Sequence, residues 1–363
     1  MSKLYLLMLV GLCAVSSAVY AQGGKNAQAD KNAQVGKNKG LESITKQGVE
    51  ARLSFLASDA LEGREAGKLG GLVASEYIQS ELKGLGVKPF YRTYFQDFEA
   101  ISPVREKAVD FQVNSDSISK YKAEKSYRRL ALRNVIGYIE GQKKDEYIVI
   151  GAHFDHVGVD ELLVGDQIYN GADDNASSVA AVLQVAEAFA SSADKPLYSI
   201  IFAFWDGEEV NYLGSDYFVA NFASLSNIKT YINLDMIGRE GFVPTIYPDF
   251  ALPETIDAEN NALGKEFHFL SSNELTKYNE LLSKEIEKNK LNIRPKFTLF
   301  QHKSTGSDYL HFSLHNIPVI WFFTGLHPDY HTPIDEVERI DLDKVTDITR
   351  ATYLILWSLA NDK

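Results

Sequence analysis

Five short segments of the chain contain side chains of the kinds that bind metal ions. They read Gly151-Ala152-His153-Phe154-Asp155, Gly171-Ala172-Asp173-Asp174-Asn175, Gly207-Glu208-Glu209, Asn233-Leu234-Asp235-Met236 and Tyr330-His331-Thr332-Pro333. Two histidines and three carboxylates in these segments make a set of five ligands, namely His153, Asp173, Glu209, Asp235 and His331. One further acid, Glu208, lies beside this set, and a carboxylate next to a metal site is suited to take a proton from water. The pattern therefore predicts a two-metal site that activates water.

Spacing within the first two segments indicates separate roles. His153 and Asp155 are two residues apart and would point to the same side of an extended segment, so Asp155 is expected to hold the second ring nitrogen of His153. Asp173 comes just before a predicted helix, and its two carboxylate oxygens are expected to face one cation each. The following Asp174 and Asn175 are of the types that cap a helix N-terminus.

The other acidic residues point to the kind of metal and to its chemistry. Glu208 and Glu209 are neighbours whose side chains diverge, so one can reach a metal while the other faces water. Imidazole and carboxylate ligands without a thiolate suit Zn²⁺, with Co²⁺ and Mn²⁺ as alternatives. Two such cations about 3.5–4 Å apart would polarise a carbonyl and bring the pKa of water to about 7. Glu208 would then take the proton and return it to a leaving amine.

Apolar strands alternate with helices in the segments that must position these residues. Strands are predicted at 134–139, 147–152, 198–205, 230–234 and 317–323, and helices at 72–85, 177–190, 273–289 and 345–359. This alternation predicts a largely parallel or mixed sheet covered on both faces. Residues 105–129 are polar and irregular, which indicates an insertion or an antiparallel edge.

Four of the ligand segments directly follow predicted strands or lie a few residues beyond one. His153 follows the strand that ends at 152, the pair at 208–209 follows the strand that ends at 205, and Asp235 follows the strand that ends at 234. His331 lies shortly after the strand that ends at 323. Open α/β sheets bind ligands outside the carboxyl ends of their strands, so these side chains are expected to meet there.

The N-terminal 40 residues differ from the rest of the chain. Lys3, the apolar run 4–15 and the small residues before position 22 are typical of a signal peptide covering residues 1–21, which predicts a secreted or periplasmic protein. The only cysteine, Cys13, would be removed with it. Residues 22–40 are polar and partly repetitive, which predicts a disordered linker before a folded part at 41–363.

The charge balance disfavours two classes of partner. The chain carries 37 basic and 49 acidic residues for a net charge of −12, and residues 1–40 hold five lysines and one aspartate, which leaves −16 on residues 41–363. A nucleic-acid or anionic-membrane partner is disfavoured by this excess of negative charge. No later apolar stretch is long enough to predict a membrane-spanning helix.

These residues resemble a known family, the co-catalytic dizinc aminopeptidases of metallopeptidase family twenty-eight. The resemblance covers most of residues 45–363 and includes the segment 55–64, the five ligand segments, and Gly306-Ser307-Asp308 with Gly325. It implies a single three-layer α/β/α domain with a mixed, mostly parallel sheet, a peptide substrate, two Zn²⁺ ions per chain and a cis peptide between Asp173 and Asp174. In the implied arrangement one zinc is held by His153 and Asp235, the other by Glu209 and His331, with Asp173 as the bridge, Glu208 as general base and Asp155 as the partner of His153.

The resemblance leaves the substrate open. Many relatives have a histidine after the Ser-Asp pair, where this chain has Tyr309. Candidate substrate contacts are Met236, Asp308, Tyr309, Phe312 and Tyr330, although core packing explains phenylalanines equally well. The remaining histidines, His156 among them, are interpreted as structural or surface residues. Alternatives to an aminopeptidase are a carboxypeptidase or dipeptidase, a glutaminyl-cyclase-like enzyme, and a catalytically silent receptor-like protein; the oligomeric state stays open.

Overall fold

A computed structural model describes residues 34–104, 111–123, 126–192, 195–240, 263–300 and 306–362. The predicted signal peptide and residues 22–33 of the predicted linker lie outside this part of the chain. No helix within the described ranges is long and apolar enough to cross a membrane.

A nine-stranded mixed sheet forms the centre of the described fold. Its strands are β1 (Lys88–Pro89), β2 (Phe95–Pro103), β3 (Tyr127–Ile139), β4 (Lys143–His153), β7 (Tyr198–Trp205), β8 (Ile228–Leu234), β9 (Glu266–Ser271), β10 (Arg294–Leu299) and β11 (Val319–Phe323), while β5 (Gly158–Val159) and β6 (Ile168–Tyr169) make a separate ribbon. The order is β1-β3-β7-β4-β8-β11-β9-β10, with β2 paired to β3. The central strands β7, β4, β8 and β11 are parallel, and antiparallel pairs flank them. The predicted α/β class is confirmed, with the parallel pairing concentrated in the centre.

Helices cover both faces of the sheet. They are α1 (34–43), α2 (Lys46–Leu56), α3 (Leu69–Gly84), α4 (Ser115–Lys122), α5 (Ser178–Ser191), α6 (Leu213–Asn221), α7 (Lys277–Asn289), α8 (Tyr309–Leu314) and α9 (Leu342–Asn361). Side chains of β4 alternate between two cores: Ile148 and Ile150 pack with α2, α5 and α9, whereas Val149 packs with α6 and α8 on the opposite face. Strands buried on both faces explain the continuous apolar runs in the sequence.

Helix α5 is the most deeply buried of the helices that support the site. Its residues from 178 to 186 are all inaccessible to solvent, because α2 and α9 cover it on the side away from the sheet. Its many alanines permit this close packing. The short side chains thereby fix the position of the turn that precedes α5, and that turn carries Asp173 and Asp174.

Residues 34–40 differ from the predicted disordered linker, because they form most of α1 and pack on the domain. Lys37 lies 2.7 Å from Glu285 in an ion pair that is largely buried. The Tyr353 hydroxyl donates to the carbonyl oxygen of Lys37 at 3.0 Å. Gly40 fits closely there, since a Cβ atom would lie 2.7 Å from the Ala188 carbonyl oxygen. The polar composition of residues 34–40 predicts disorder, whereas a few specific contacts with the domain stabilise a helix.

Candidate metal centre

The carboxyl ends of the parallel strands deliver the acidic and imidazole side chains to one place, as the sequence predicts. His153 is the last residue of β4, Glu208 follows β7 after a tight turn at Gly207 with φ of +79°, and Asp235 follows β8 directly. His331 reaches the same place from the loop after β11. The site is therefore built from loops that diverge at the edge of a rigid sheet.

One group of possible ligand atoms surrounds His153. Its Nε2 atom lies 3.3 Å from Asp174 Oδ1, 3.6 Å from Asp235 Oδ1 and 3.9 Å from Glu208 Oε2. The side chain of His153 is only 2% exposed, so this group lies at the inner end of the site.

A second group lies around His331. Its Nε2 atom is 3.1 Å from Asp174 Oδ2 and 3.0 Å from Glu209 Oε2. His156 joins it, with Nδ1 at 2.7 Å from Glu209 Oε1. The side chain of His331 is 34% exposed, so this end of the site faces solvent.

The spacing of these atoms fits metal ions. Four ligands at the usual zinc distances of about 2.0–2.2 Å lie about 3.4 Å from one another in a tetrahedron. The distances of 3.0–3.6 Å from His153 and His331 to Asp174, Asp235 and Glu209 are close to this value. The donor set therefore fits two cations that share the carboxylate of Asp174.

The structure places Asp174, and not Asp173, between the two groups. The main-chain amides of Asp173 and Asp174 both donate to the carboxylate of Asp335 at 3.0 Å, which fixes the direction of this turn. The Asp173 carboxylate points away from the site and accepts a hydrogen bond of 2.6 Å from the amide of Gly238. The assignment of the bridge is therefore shifted by one residue from the sequence prediction.

Two local predictions around this turn are corrected as well. Among the described residues the non-proline cis peptide joins Asp174 and Asn175, not Asp173 and Asp174. Asn175 does not cap a helix: its amide group donates to the Leu234 carbonyl oxygen and its Oδ1 accepts from the Met236 amide. Asn175 thus ties the turn to the end of β8.

Asp155 acts mainly on the loop that carries the two glutamates. Its Oδ1 and Oδ2 atoms accept hydrogen bonds from the amides of Glu208 and Glu209 at 3.0 and 3.2 Å. His153 Nδ1 lies 3.2 Å from the main-chain oxygen of Asp155 and 3.8 Å from its carboxylate. Burial raises the pKa of the Asp155 carboxyl to about 6, against the effects of His153 and the two amides. The predicted contact with His153 thus runs chiefly through the main chain.

Glu208 lies in an environment that favours its protonated form. Burial raises the pKa of its carboxyl well above the usual range, and the negative charges of Glu209, Asp235 and Asp308 raise it further, against the opposing effect of His153. A carboxylate with raised proton affinity takes a proton from water more readily. The concentration of negative charge also favours a bound cation.

The predicted substrate residues are mostly buried in the core. Phe312 stacks on Tyr231 with ring centroids 3.9 Å apart and is fully inaccessible to solvent. Tyr309 packs against Phe300 and Trp321. Met236 and Asp308 are also buried, with at most 2% exposure. Core packing therefore accounts for the positions of Phe312, Tyr309 and Met236, whereas the charge of Asp308 acts on Glu208.

Tyr330 differs from the other predicted substrate residues. It is half-buried, and its ring stacks on His331 with centroids 3.8 Å apart. It stays a candidate contact at the solvent-facing end of the site.

Sequence reasoning missed His156 as a site residue. The sequence predicts a structural or surface residue, whereas His156 is 1% exposed and contacts both Glu209 and His331. The signal was its position three residues after His153, on the segment that leaves the same strand end. The regular strand ends at His153, and His156 pairs with Glu65 in an isolated β-bridge.

A model of peptidase family M28 matches residues 134–355, which is more than half of the chain. The chain therefore belongs to peptidase family M28. The matched stretch includes β4, β7, β8 and β11 and all the residues of the two ligand groups.

Several proteins with similar sequences are named as exopeptidases. A glutamate carboxypeptidase 2 homolog from Caenorhabditis elegans is 34% identical over 34% of this chain, and an aminopeptidase from Pseudomonas aeruginosa is 27% identical over 50% of it. The matches cover only 16% and 32% of those two proteins, so the chain spans less than a third of their length. The solved structure of BSAP, a zinc aminopeptidase from Bacillus subtilis, shares the fold with a TM-score of 0.61 at 15% identity, covering 88% of this chain and 96% of that one.

A chain of buried hydrogen bonds orients Asp235. Trp205 Nε1 donates to the Tyr231 hydroxyl, which donates to Asn233 Oδ1. The Asn233 amide then donates to Ser307 Oγ, which donates to Asp235 Oδ2 at 2.6 Å. Partners of this kind hold a ligating carboxylate in one orientation.

Replacing Ser307 with alanine is therefore expected to weaken zinc binding about 10–100-fold. The hydroxyl that fixes Asp235 would be lost, while the side chain volume changes little. Competition with a zinc chelator measures the change. Ser313→Ala is the matched control, because that buried hydroxyl donates to the Leu310 carbonyl oxygen on α8. Equal zinc affinity in wild type and Ser307→Ala would contradict the expectation.

Proposed function

We propose that this chain is an exopeptidase that removes N-terminal residues from peptides, using two Zn²⁺ ions and Glu208 as general base. The observation that carries the proposal is that Asp174 lies between two histidines, with Oδ1 at 3.3 Å from His153 Nε2 and Oδ2 at 3.1 Å from His331 Nε2, while Glu208 lies 3.9 Å from His153. When bound, such a pair of ions supplies electrophilic activation of a peptide carbonyl and of water. Co²⁺ and Mn²⁺ fit the same donors.

The residues of the site have separate roles in this proposal. His153, Asp235 and one oxygen of Asp174 would hold the inner ion, while His331, Glu209 and the other oxygen of Asp174 would hold the outer ion. Glu208 takes a proton from water and delivers it to the leaving amine. Asp155 keeps the backbone of Glu208 and Glu209 in place through its two hydrogen bonds.

The charges around the site favour a substrate amine over a substrate carboxylate. Asp308 is a further buried carboxyl group, and burial raises its pKa to about 7. The buried guanidinium whose charge acts on the ligand groups belongs to Arg64, and it hydrogen-bonds to main-chain carbonyls. The Arg64 guanidinium is therefore not available to bind the C-terminal carboxylate of a peptide. The positively charged N-terminus of a peptide would instead face an excess of acidic side chains.

Export from the cytoplasm is part of the same proposal. The basic residue Lys3, the apolar run 4–15 and the small residues ending at Ala21 support it. An exported peptidase would meet peptides outside the cytoplasm, in the periplasm or the medium.

Cleavage of free but not N-acetylated peptides is the expected result for zinc-loaded protein. Leu-Gly-Gly and acetyl-Leu-Gly-Gly are the matched substrates, because acetylation removes the charge of the N-terminal amine and leaves the peptide bonds unchanged. Release of leucine is measured by chromatography, and a zinc chelator should abolish it. Activity that survives full removal of metal would contradict the proposed mechanism.

The same assay separates the alternatives. The match to a glutamate carboxypeptidase 2 homolog favours a carboxypeptidase as the second candidate. That activity would release the C-terminal residue from the acetylated peptide. Loss of ammonia from an N-terminal glutamine peptide would indicate a cyclase, and tight zinc binding without turnover a silent protein.

A further inference from the structure

Arg64 is a buried charge that none of the proposed catalytic steps uses. Its side chain is among the largest fully buried ones, at 1% exposure. It lies at the end of a short helical turn, Asp59–Arg64, that follows α2. A buried guanidinium is costly unless its N–H groups are hydrogen-bonded.

The guanidinium donates to carbonyl oxygens of three separate segments. Nε donates to Phe154 at 2.8 Å, and Nη1 donates to Leu56 and Asn170 at 2.6 Å each. Nη2 donates to Gly171 at 3.0 Å and makes a longer contact of 3.5 Å with Asp174. Two of these carbonyls, those of Phe154 and Asp174, belong to a proposed ligand or to its direct neighbour in the sequence.

These bonds connect the two ligand segments to each other. Phe154 lies between His153 and Asp155, so its carbonyl fixes the end of the first segment. Gly171 and Asp174 bracket the turn that holds the shared carboxylate. One planar side chain therefore sets the distance between the His153 segment and the Asp174 turn.

The charge of Arg64 also acts on the site. Burial lowers its pKa to about 10, and the negative charges of Asp174, Asp335 and Asp155 partly offset this effect. The group thus stays protonated at neutral pH. It supplies a fixed positive charge that acts on the carboxylates of Asp174, Asp335, Asp155 and Glu209.

The backbone conformation around Arg64 directs its side chain into the core. Glu62, Gly63 and Arg64 all have positive φ, at 47°, 62° and 48°. A Cβ atom on Gly63 would lie 2.4 Å from the Gly158 carbonyl oxygen and 2.6 Å from that of Tyr169. The turn is therefore held tightly against β5 and β6, which fixes where Arg64 enters the core.

We infer that Arg64 is a positioning residue that sets the spacing of the two ligand segments and so determines zinc affinity. The inference rests on the two-metal site proposed above. A lysine cannot replace Arg64 in this role, because an ammonium group has three donors on a compact centre and cannot span three segments as the planar fork does.

Arg64→Lys is expected to bind zinc about 10–100-fold more weakly than wild type while remaining folded. Zinc affinity is measured on metal-free protein by chelator competition, and folding by circular dichroism and thermal unfolding. Arg52→Lys is the matched control: Arg52 is also largely buried but pairs with Glu81 and Glu187 on the helical face. Its zinc affinity should equal that of wild type.

A second variant tests whether a loss of zinc affinity results only from misfolding. Arg64→Ala should regain part of its zinc affinity when guanidinium ion is added at non-denaturing concentration, and ammonium ion should not restore it. Unchanged zinc affinity in Arg64→Lys overturns the inference. Failure of both Arg64→Lys and Arg64→Ala to fold overturns it as well. Wild-type protein that binds zinc but cleaves no peptide would overturn the proposed function alone.

Discussion

Replacing Glu208 with glutamine is expected to lower kcat for peptide hydrolysis about 10²–10⁴-fold while zinc content stays unchanged. The amide is nearly isosteric with the carboxylate but cannot accept a proton from water. Glu208 also lies farther from His153 than the ligand carboxylates do, at 3.9 Å against 3.3 and 3.6 Å for Asp174 and Asp235. Steady-state kinetics at saturating substrate and metal analysis of the same sample measure the two quantities together.

Glu209→Gln is the matched control for this experiment. The two glutamates are adjacent, and Asp155 holds both of their amides, so their backbone surroundings are similar. Glu209 lies 3.0 Å from His331 Nε2 and is assigned to the outer ion. Its replacement should therefore lower zinc content, and activity should recover in part at high zinc concentration. A loss of zinc in Glu208→Gln would instead make Glu208 a ligand.

The fold was predictable from the sequence where one physical signal dominated. The strand Tyr198–Trp205 was predicted with its observed bounds, because a continuous apolar run is what burial on both faces requires. The placement of His153 and Asp235 at strand ends followed from the same pattern. By contrast, α1 was missed because its stability comes from contacts such as Lys37 with Glu285, which are 248 residues apart in the sequence.

The limits of the site prediction have a similar cause. Asp173 and Asp174 are chemically identical, and only the direction of the turn decides which of them faces the metals. Asp335 sets that direction by accepting both main-chain amides, and it lies more than 160 residues away. The position of His156 escapes sequence-based prediction for a related reason, since it depends on contacts with Arg64 and Gly171.

Replacing Asp174 with asparagine is expected to remove at least one of the two proposed zinc ions and to abolish most peptidase activity. Asp174 Oδ1 faces His153 and Oδ2 faces His331, so in the proposed site each oxygen would bind a different ion. Asparagine keeps one oxygen and replaces the other with an NH₂ group, which does not bind metal. The loss of zinc affinity should exceed the 10–100-fold or so that removal of an outer partner costs. Metal analysis after gel filtration gives the zinc content per chain.

Asp173→Asn is the decisive comparison, because it is the same change one residue earlier. An asparagine oxygen can still accept the hydrogen bond from the Gly238 amide, so the turn should keep its shape. The structure then predicts two zinc ions in Asp173→Asn and fewer in Asp174→Asn, whereas the sequence-based assignment predicts the reverse. Loss of zinc in Asp173→Asn with full retention in Asp174→Asn would show that the carboxylate between His153 and His331 is not the bridge. If both variants kept their full zinc content, neither aspartate would be a shared ligand. The two ions would then not need to be bound as a pair.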